Sequence, residues 1–93
     1  MFLEIVTPEA ILFSSEVTSV AVPGITGEFQ MLNDHAPIVS ILSNGTVKIQ
    51  ANENSVEEKY ADKFSKSSDG RLNFEINSGT LEMKDNKVII LAD

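Results

Sequence analysis

The sequence contains no cysteine, a single histidine and half as many basic as acidic residues. Without cysteine the chain has no disulfide framework, no zinc–thiolate site and no cysteine nucleophile. Because His35 is the only histidine, the usual metal sites built on several histidines are excluded as well. We therefore expect no metal site and no bound cofactor.

Positive charge is scarce: 7 Lys and Arg residues stand against 14 Asp and Glu, for a formal net charge of −7. That balance argues against nucleic acid and against anionic lipid, because both are bound through Lys and Arg. A basic protein partner is compatible with it. No apolar run reaches the length of a membrane span, and the first residues lack the basic head of a signal peptide. We expect one soluble, cytosol-facing domain over residues 1–93, with no direct lipid insertion.

Alternation of apolar and polar residues is the strongest local pattern, and it is typical of strands with one buried face. It is clear at 46–50, 72–77 and 80–84, and weaker at 3–6 and 17–22. Residues 88–91 are apolar on both faces, which indicates an interior strand. Turn signals separate these runs, and Asp85-Asn86 suits a two-residue hairpin. The sequence predicts an all-β fold, an antiparallel β-sandwich or flattened barrel of about nine or ten short strands.

One region, 51–70, is rich in Asn, Glu, Lys, Ser and Asp. Val56, Tyr60 and Phe64 are spaced at i, i+4 and i+8, a pattern that fits one helical stripe and equally a pair of strands. We favour a long polar hairpin or loop that points away from any interface.

The sequence offers no recognisable combination of catalytic residues. The Gly24-Ile25-Thr26-Gly27 stretch lacks the spacing of a phosphate-binding loop, and Ser40 is the only serine near His35 in sequence. The Glu57-Glu58 pair lies in a polar, solvated stretch. We therefore expect no catalytic residues and a protein that is not an enzyme.

Several motifs carry a family signal. They are Leu3-Glu4-Ile5-Val6-Thr7-Pro8-Glu9, Val20-Ala21-Val22-Pro23-Gly24, Gly27-Glu28-Phe29, His35-Ala36-Pro37, Ser78-Gly79-Thr80-Leu81-Glu82-Met83 and Val88-Ile89-Ile90-Leu91-Ala92-Asp93. In order and over nearly the whole chain, they resemble the epsilon subunit of bacterial F-type ATP synthases. The chain departs from the family pattern at Gln30, at Asn33-Asp34 and in the longer polar region 51–70.

The resemblance implies an N-terminal β-sandwich domain that binds the gamma subunit on one side and the c-ring at one end. Such a subunit is a non-catalytic part of the central stalk, or rotor, and helps to couple ion translocation to ATP synthesis. It lies peripherally at the cytoplasmic face of the bacterial inner membrane. Longer members continue into a C-terminal helical hairpin. We expect a short form without that helical domain, without hairpin-mediated inhibition and without ATP binding.

The resemblance also implies contact residues. For the c-ring they are Glu28, Met31, Leu32, Asp34 and His35. Glu28 is the first choice among these contacts, since a carboxylate can pair with a basic residue on the partner. His35 has an equally good structural interpretation, a hydrogen bond to nearby backbone. For the gamma subunit the candidates are Leu81, Met83, Val88 and Ile90; the alternative is that both faces of these strands are buried.

Two rival functions remain at the level of sequence. A small acidic β carrier domain would bear lipoate or biotin on a hairpin lysine, and Lys63 or Lys84 is the candidate. Neither has the full flanking pattern of a carrier site. A general β-sandwich adaptor is the other rival, because fold alone does not define function.

Overall fold

The computed structural model describes residues 1–51, 56 and 58–93, and these are mostly β-strand. The described residues form ten strands: β1 (Phe2–Val6), β2 (Ile11–Glu16), β3 (Ser19–Gly24), β4 (Gly27–Leu32), β5 (Ile38–Leu42), β6 (Gly45–Gln50), β7 (Ser65–Lys66), β8 (Leu72–Ile76), β9 (Gly79–Lys84) and β10 (Lys87–Ala92). A short 3₁₀ helix, Glu58–Lys63, precedes β7. Within the described ranges, no helix combines the length and apolarity needed to cross a bilayer.

The strands form one curled sheet that folds into two layers. The order is β2-β1-β10-β9-β5-β3-β6-β8-β7, with β4 on β3. The sheet bends where β5 meets β3, because only Gly24 and Leu42 pair there. The first layer is thus β2-β1-β10-β9-β5 and the second is β4-β3-β6-β8-β7. The predicted all-β sandwich is confirmed. One pair, β1 with β10, is parallel and departs from the antiparallel expectation.

Alternating side chains from both layers meet in a single core. On β9 and β10 the inward apolar residues are at most 4% exposed, and the residues that alternate with them point outward. The largest buried side chains come from both layers: Leu3, Ile5, Phe13, Met31, Leu42, Ile49, Leu81, Met83 and Ile90. Burial of each such side chain contributes about 1.5–3 kcal/mol. The two-residue turn predicted between β9 and β10 is confirmed, since Asp85 and Asn86 have φ of 53° and 61°, the left-handed values that a type I′ turn requires.

The polar region closes the open side of the sandwich. The Phe64 ring lies 6.0 Å from Phe13 on β2 and 5.1 Å from Phe74 on β8, measured between centroids. Val56 and Tyr60 also pack against the core. These side chains therefore belong to the core of the domain, while the expectation that the polar region points away from an interface stays a prediction. Residues 52–55 and 57 of the same prediction lie outside the described residues.

Candidate functional site

The outer face of the first layer carries a row of four aliphatic side chains and one threonine, which together cross all five strands. The pairing of neighbouring strands places five residues side by side across the sheet, in the order Ile11, Val6, Leu91, Thr80 and Ile41. Ile11, Leu91 and Ile41 are 51–61% exposed. We call these five residues the aliphatic row. Monomeric proteins seldom expose a contiguous apolar strip of this kind unless it binds something.

A second row lies beside the aliphatic row on the same face. Register aligns Glu4 with Ile89, Ile89 with Glu82, and Glu82 with Val39. Val39 is 78% exposed, the largest value among the exposed large hydrophobic residues. We call these four residues the mixed row, because aliphatic and acidic side chains alternate along it. The two rows together form a continuous outward surface with an apolar majority.

The third row on this face is basic. Lys87 lies opposite Lys84 on one side and opposite Phe2 on the other. The Lys87 ammonium is 3.4 Å from a Glu4 carboxylate oxygen and 5.7 Å from the centre of the Phe2 ring. Across the face, the rows thus change from mainly aliphatic, through alternating aliphatic and acidic, to one with two lysines.

The residues predicted for gamma-subunit contact do not lie on this surface. Leu81, Met83, Val88 and Ile90 are 0–1% exposed and belong to the core. Their side chains cannot reach a partner of the folded domain, so this choice of residues is wrong. The apolar run 88–91 did indicate an exposed apolar surface, because it holds more apolar residues than one core face needs. Its outward members are Ile89 and Leu91, and alternation alone does not say which set points inward.

Glu28, the leading c-ring candidate, lies near the start of β4 and is already paired. Its Oε1 is 2.9 Å from the Lys48 ammonium on β6, and both side chains are partly exposed. The pair reaches across β3, which lies between β4 and β6. The carboxylate is thus accessible, but a partner cation has to compete with Lys48.

The other c-ring candidates are spread along β4 and beyond it. Met31 is fully buried and contributes to the core, so its prediction as a contact is wrong; Leu32 is 57% exposed. Asp34 and His35 are exposed and follow the end of the strand. Strand spacing separates Glu28 from Leu32 by about 13 Å, and Asp34 and His35 lie beyond the end of β4. The structure therefore does not bring the five predicted residues together at one point.

The connection from β4 to β5 is held by polar contacts. Asn33 Oδ1 accepts a hydrogen bond from the N-terminal ammonium of Met1 at 2.9 Å and another from Asn86 Nδ2 at 2.9 Å. Asp34 adopts a left-handed φ of 62°. The His35 Nδ1 atom lies 2.7 Å from the Ala36 carbonyl oxygen. The His35 backbone N–H donates a hydrogen bond to the Leu32 carbonyl oxygen. This geometry supports the structural interpretation of His35 and leaves its ring exposed.

In the described part of the chain, no group of three or more acidic and histidine side chains is placed to hold a metal ion. Lys63 ends the 3₁₀ helix, and Lys84 ends β9 just before the Asp85-Asn86 turn. Neither occupies the centre of a hairpin turn, where a carrier lysine is expected.

The structure is a two-layer β-sandwich whose first layer exposes many aliphatic side chains on its outer face. Residues 1–62 match the family described as the beta-sandwich domain of the ATP synthase Delta/Epsilon chain. The ATP synthase epsilon chain of Chlorobium limicola is 37% identical over 91 residues, which covers 98% of this chain and 86% of that one. The epsilon chain of Chlorobaculum tepidum is 34% identical over the same shares. This protein belongs to the ATP synthase epsilon chain family.

A solved structure supports the fold. One chain in the cryo-EM structure of the Tetrahymena thermophila mitochondrial ATP synthase central stalk and c-ring superposes with a TM-score of 0.71. The overlap covers 99% of this chain and 62% of that chain, at 14% sequence identity. At that identity the likeness concerns the architecture, and it agrees with the two-layer sandwich described above.

Proposed function

We propose that this chain is a non-catalytic rotor-stalk subunit of ATP synthase that binds the gamma subunit through the outer face of its first layer. It contacts the c-ring through the outward side of β4. In this role it transmits rotation between the c-ring and gamma, and so couples ion flow to ATP synthesis performed elsewhere in the complex. A bacterial complex would place it at the cytoplasmic face of the inner membrane, as a peripheral subunit.

The observation that carries the proposal is the aliphatic row. A stable interface needs roughly 800 Å² per partner, with an apolar centre and a polar rim. The aliphatic and mixed rows supply the apolar centre, with Ile41, Leu91 and Val39 as the most exposed side chains near β9. The basic row and the Glu4–Lys87 pair supply a polar edge. The opposite layer has no comparable row, because its outward positions include Glu28, Lys48 and Glu75.

The contact with the c-ring rests on Glu28, with Leu32 farther along the same outward side of β4. Both side chains point outward on β4, the strand at the edge of the second layer. A carboxylate that is accessible and only partly desolvated can exchange Lys48 for a basic residue of a partner loop at little cost. Asp34 and His35 are exposed and lie beyond the end of β4.

A binding measurement against the gamma subunit of the same organism tests the proposal. Leu91→Asp and Ile41→Asp each place a charge within the aliphatic row, and each should weaken binding about 100-fold or more, because the new carboxylate is buried unpaired. Ile25→Asp is the matched control, since Ile25 is 67% exposed on the β3–β4 turn, outside this face. Thermal midpoints should stay near that of the wild type. Equal binding by all four proteins, or no binding by the wild type, contradicts the proposal.

A further inference from the structure

Two outward charges on β9, Glu82 and Lys84, lie on the face that the proposed function assigns to the gamma subunit. We propose that they fix the direction in which gamma lies on that face: the partner presents a basic group to Glu82 and an acidic group to Lys84. The inference rests on the proposed function and goes beyond it, because the aliphatic row alone gives affinity and does not fix the direction in which the partner lies.

Glu82 occupies the middle of the mixed row, between Ile89 and Val39. Its carboxylate has neither a hydrogen-bond nor an ion-pair partner among residues 1–51, 56 and 58–93. A protein that covers Ile89 and Val39 necessarily takes this carboxylate out of water. A desolvated charge is strongly unfavourable unless it is paired. A Lys or Arg of the partner at this point supplies the missing ion pair.

Lys84 stands in the neighbouring row and differs from the lysine beside it. Lys87 is already engaged by Glu4 and by the face of the Phe2 ring. Lys84 lies opposite Lys87 in the β9–β10 ladder and has no hydrogen-bond or ion-pair partner within the described ranges. Like charges directly opposite each other destabilise a sheet. An acidic group from a partner relieves that repulsion. Of the two lysines, Lys84 is the one available to pair with such a group.

The spacing of these charges makes them directional. Glu82 and Lys84 are two residues apart on one face of a strand, which separates their Cα atoms by about 7 Å. A partner segment with a cation and an anion at that spacing fits in one direction only. Turning it around opposes like charges at both points, and such juxtaposition costs enough to exclude the reversed pose.

A charge exchange tests this inference with the net charge unchanged. The double variant Glu82→Lys, Lys84→Glu keeps the net charge of −7, so long-range attraction between the partners is preserved. The matched control is Lys66→Glu, Glu75→Lys, a similar exchange between exposed residues of β7 and β8 in the second layer. Titration calorimetry with the organism's gamma subunit at fixed salt should show about 100-fold weaker binding for the first exchange. The control should bind within about threefold of the wild type.

The outcomes separate the inference from the function on which it rests. If the wild type and the β9 exchange both bind gamma with similar affinity, the inference is overturned and the proposed function stands. If the wild type does not bind gamma, the proposed function fails first and the inference with it. Should the double variant unfold, Glu82→Gln and Lys84→Gln replace it. Each is expected to bind about tenfold more weakly, and unchanged binding by both overturns the inference.

Discussion

Asn86 and Asn33 join two turns that are distant in sequence. Asn86 Nδ2 donates to Asn33 Oδ1 at 2.9 Å, while Asn86 Oδ1 accepts a hydrogen bond from the backbone N–H of Asp34 at 2.8 Å. The same residue supplies a left-handed position of the β9–β10 turn, with φ of 61°. One side chain thus fixes the β4–β5 connection against the first layer.

Removing that side chain should destabilise the domain without disturbing the turn. Asn86→Gly keeps a residue that readily adopts positive φ and deletes both hydrogen bonds. We expect a loss of about 1–2 kcal/mol in the free energy of unfolding, measured by urea titration. Asp85→Gly is the control, since Asp85 also has positive φ but makes neither bond. If both variants unfold at the same urea concentration, the contacts of Asn86 contribute nothing.

Phe64 should be a stability determinant despite its place in a polar region. Its ring packs between Phe13 and Phe74, so Phe64→Ala leaves a gap between the two layers. We expect a loss of about 2–3 kcal/mol, below the range for a fully enclosed phenylalanine because the residue is only half-buried. Lys63→Ala, at the neighbouring exposed position, should change stability by less than about 0.5 kcal/mol. Equal thermal midpoints for the two variants would argue against a sealing role for Phe64.

The Glu28–Lys48 pair should matter for binding and little for folding. Lys48→Met removes an exposed ion pair, which changes stability by less than about 1 kcal/mol. It also frees the Glu28 carboxylate, so binding to the purified c-ring should be retained or strengthened. Glu28→Gln should weaken the same binding about tenfold. Glu75→Gln, on the outer side of β8, serves as the control. The proposal for Glu28 is contradicted if Lys48→Met loses binding and Glu28→Gln keeps it.

Asp69 should titrate below the usual range. The Ser67 hydroxyl, the Arg71 backbone N–H at 3.1 Å and Arg71 Nε at 2.8 Å all donate to its carboxylate. In that order of effect they lower its pKa from 3.8 to about 2. Because the folded pKa is depressed, the stabilisation by Asp69 is present above pH 3.8 and is lost as the pH falls towards 2. An NMR titration of the carboxyl carbon should show this midpoint, and Ser67→Ala should raise it. A midpoint near 4 in the wild type would contradict the geometry of this turn.

The fold could be predicted from sequence because period-two alternation and turn residues act locally. The β6, β8 and β9 strands follow directly from it, and so does the Asp85-Asn86 turn. The parallel pairing of β1 with β10 could not be predicted, since alternation carries no information about which strands become neighbours. The packing of Phe64 was missed for a related reason. Local polarity describes the solvent-facing residues of that region and says nothing about one aromatic ring that reaches the core.

The sites were predicted less well than the fold, and the reason lies in register. A shift of one residue along β9 or β10 exchanges the core face for the outer face. On β10, which is apolar on both faces, alternation does not say whether Val88 or Ile89 points inward; on β9 it already points Leu81 inward. Val39 and Ile41 carried no distinguishing signal, because an exposed aliphatic residue and a buried one look alike in sequence. The motif around Glu28 could single out this residue from sequence. Its ion pair with Lys48 could not be predicted, because it requires β4 and β6 to lie on opposite sides of β3.

The parallel pairing of β1 with β10 has a consequence for biosynthesis. Phe2 lies beside Lys87 and Val6 beside Leu91, so β1 gains this neighbour only after β10 has emerged from the ribosome. Until then the nascent chain can form hairpins such as β1–β2 and β3–β4, but the first layer lacks its centre. Contacts between residues so far apart in sequence slow folding, because a long loop has to be closed first. The domain should therefore acquire its cooperative structure after translation of β10, and shortened chains that stop before it should be captured by chaperones or degraded.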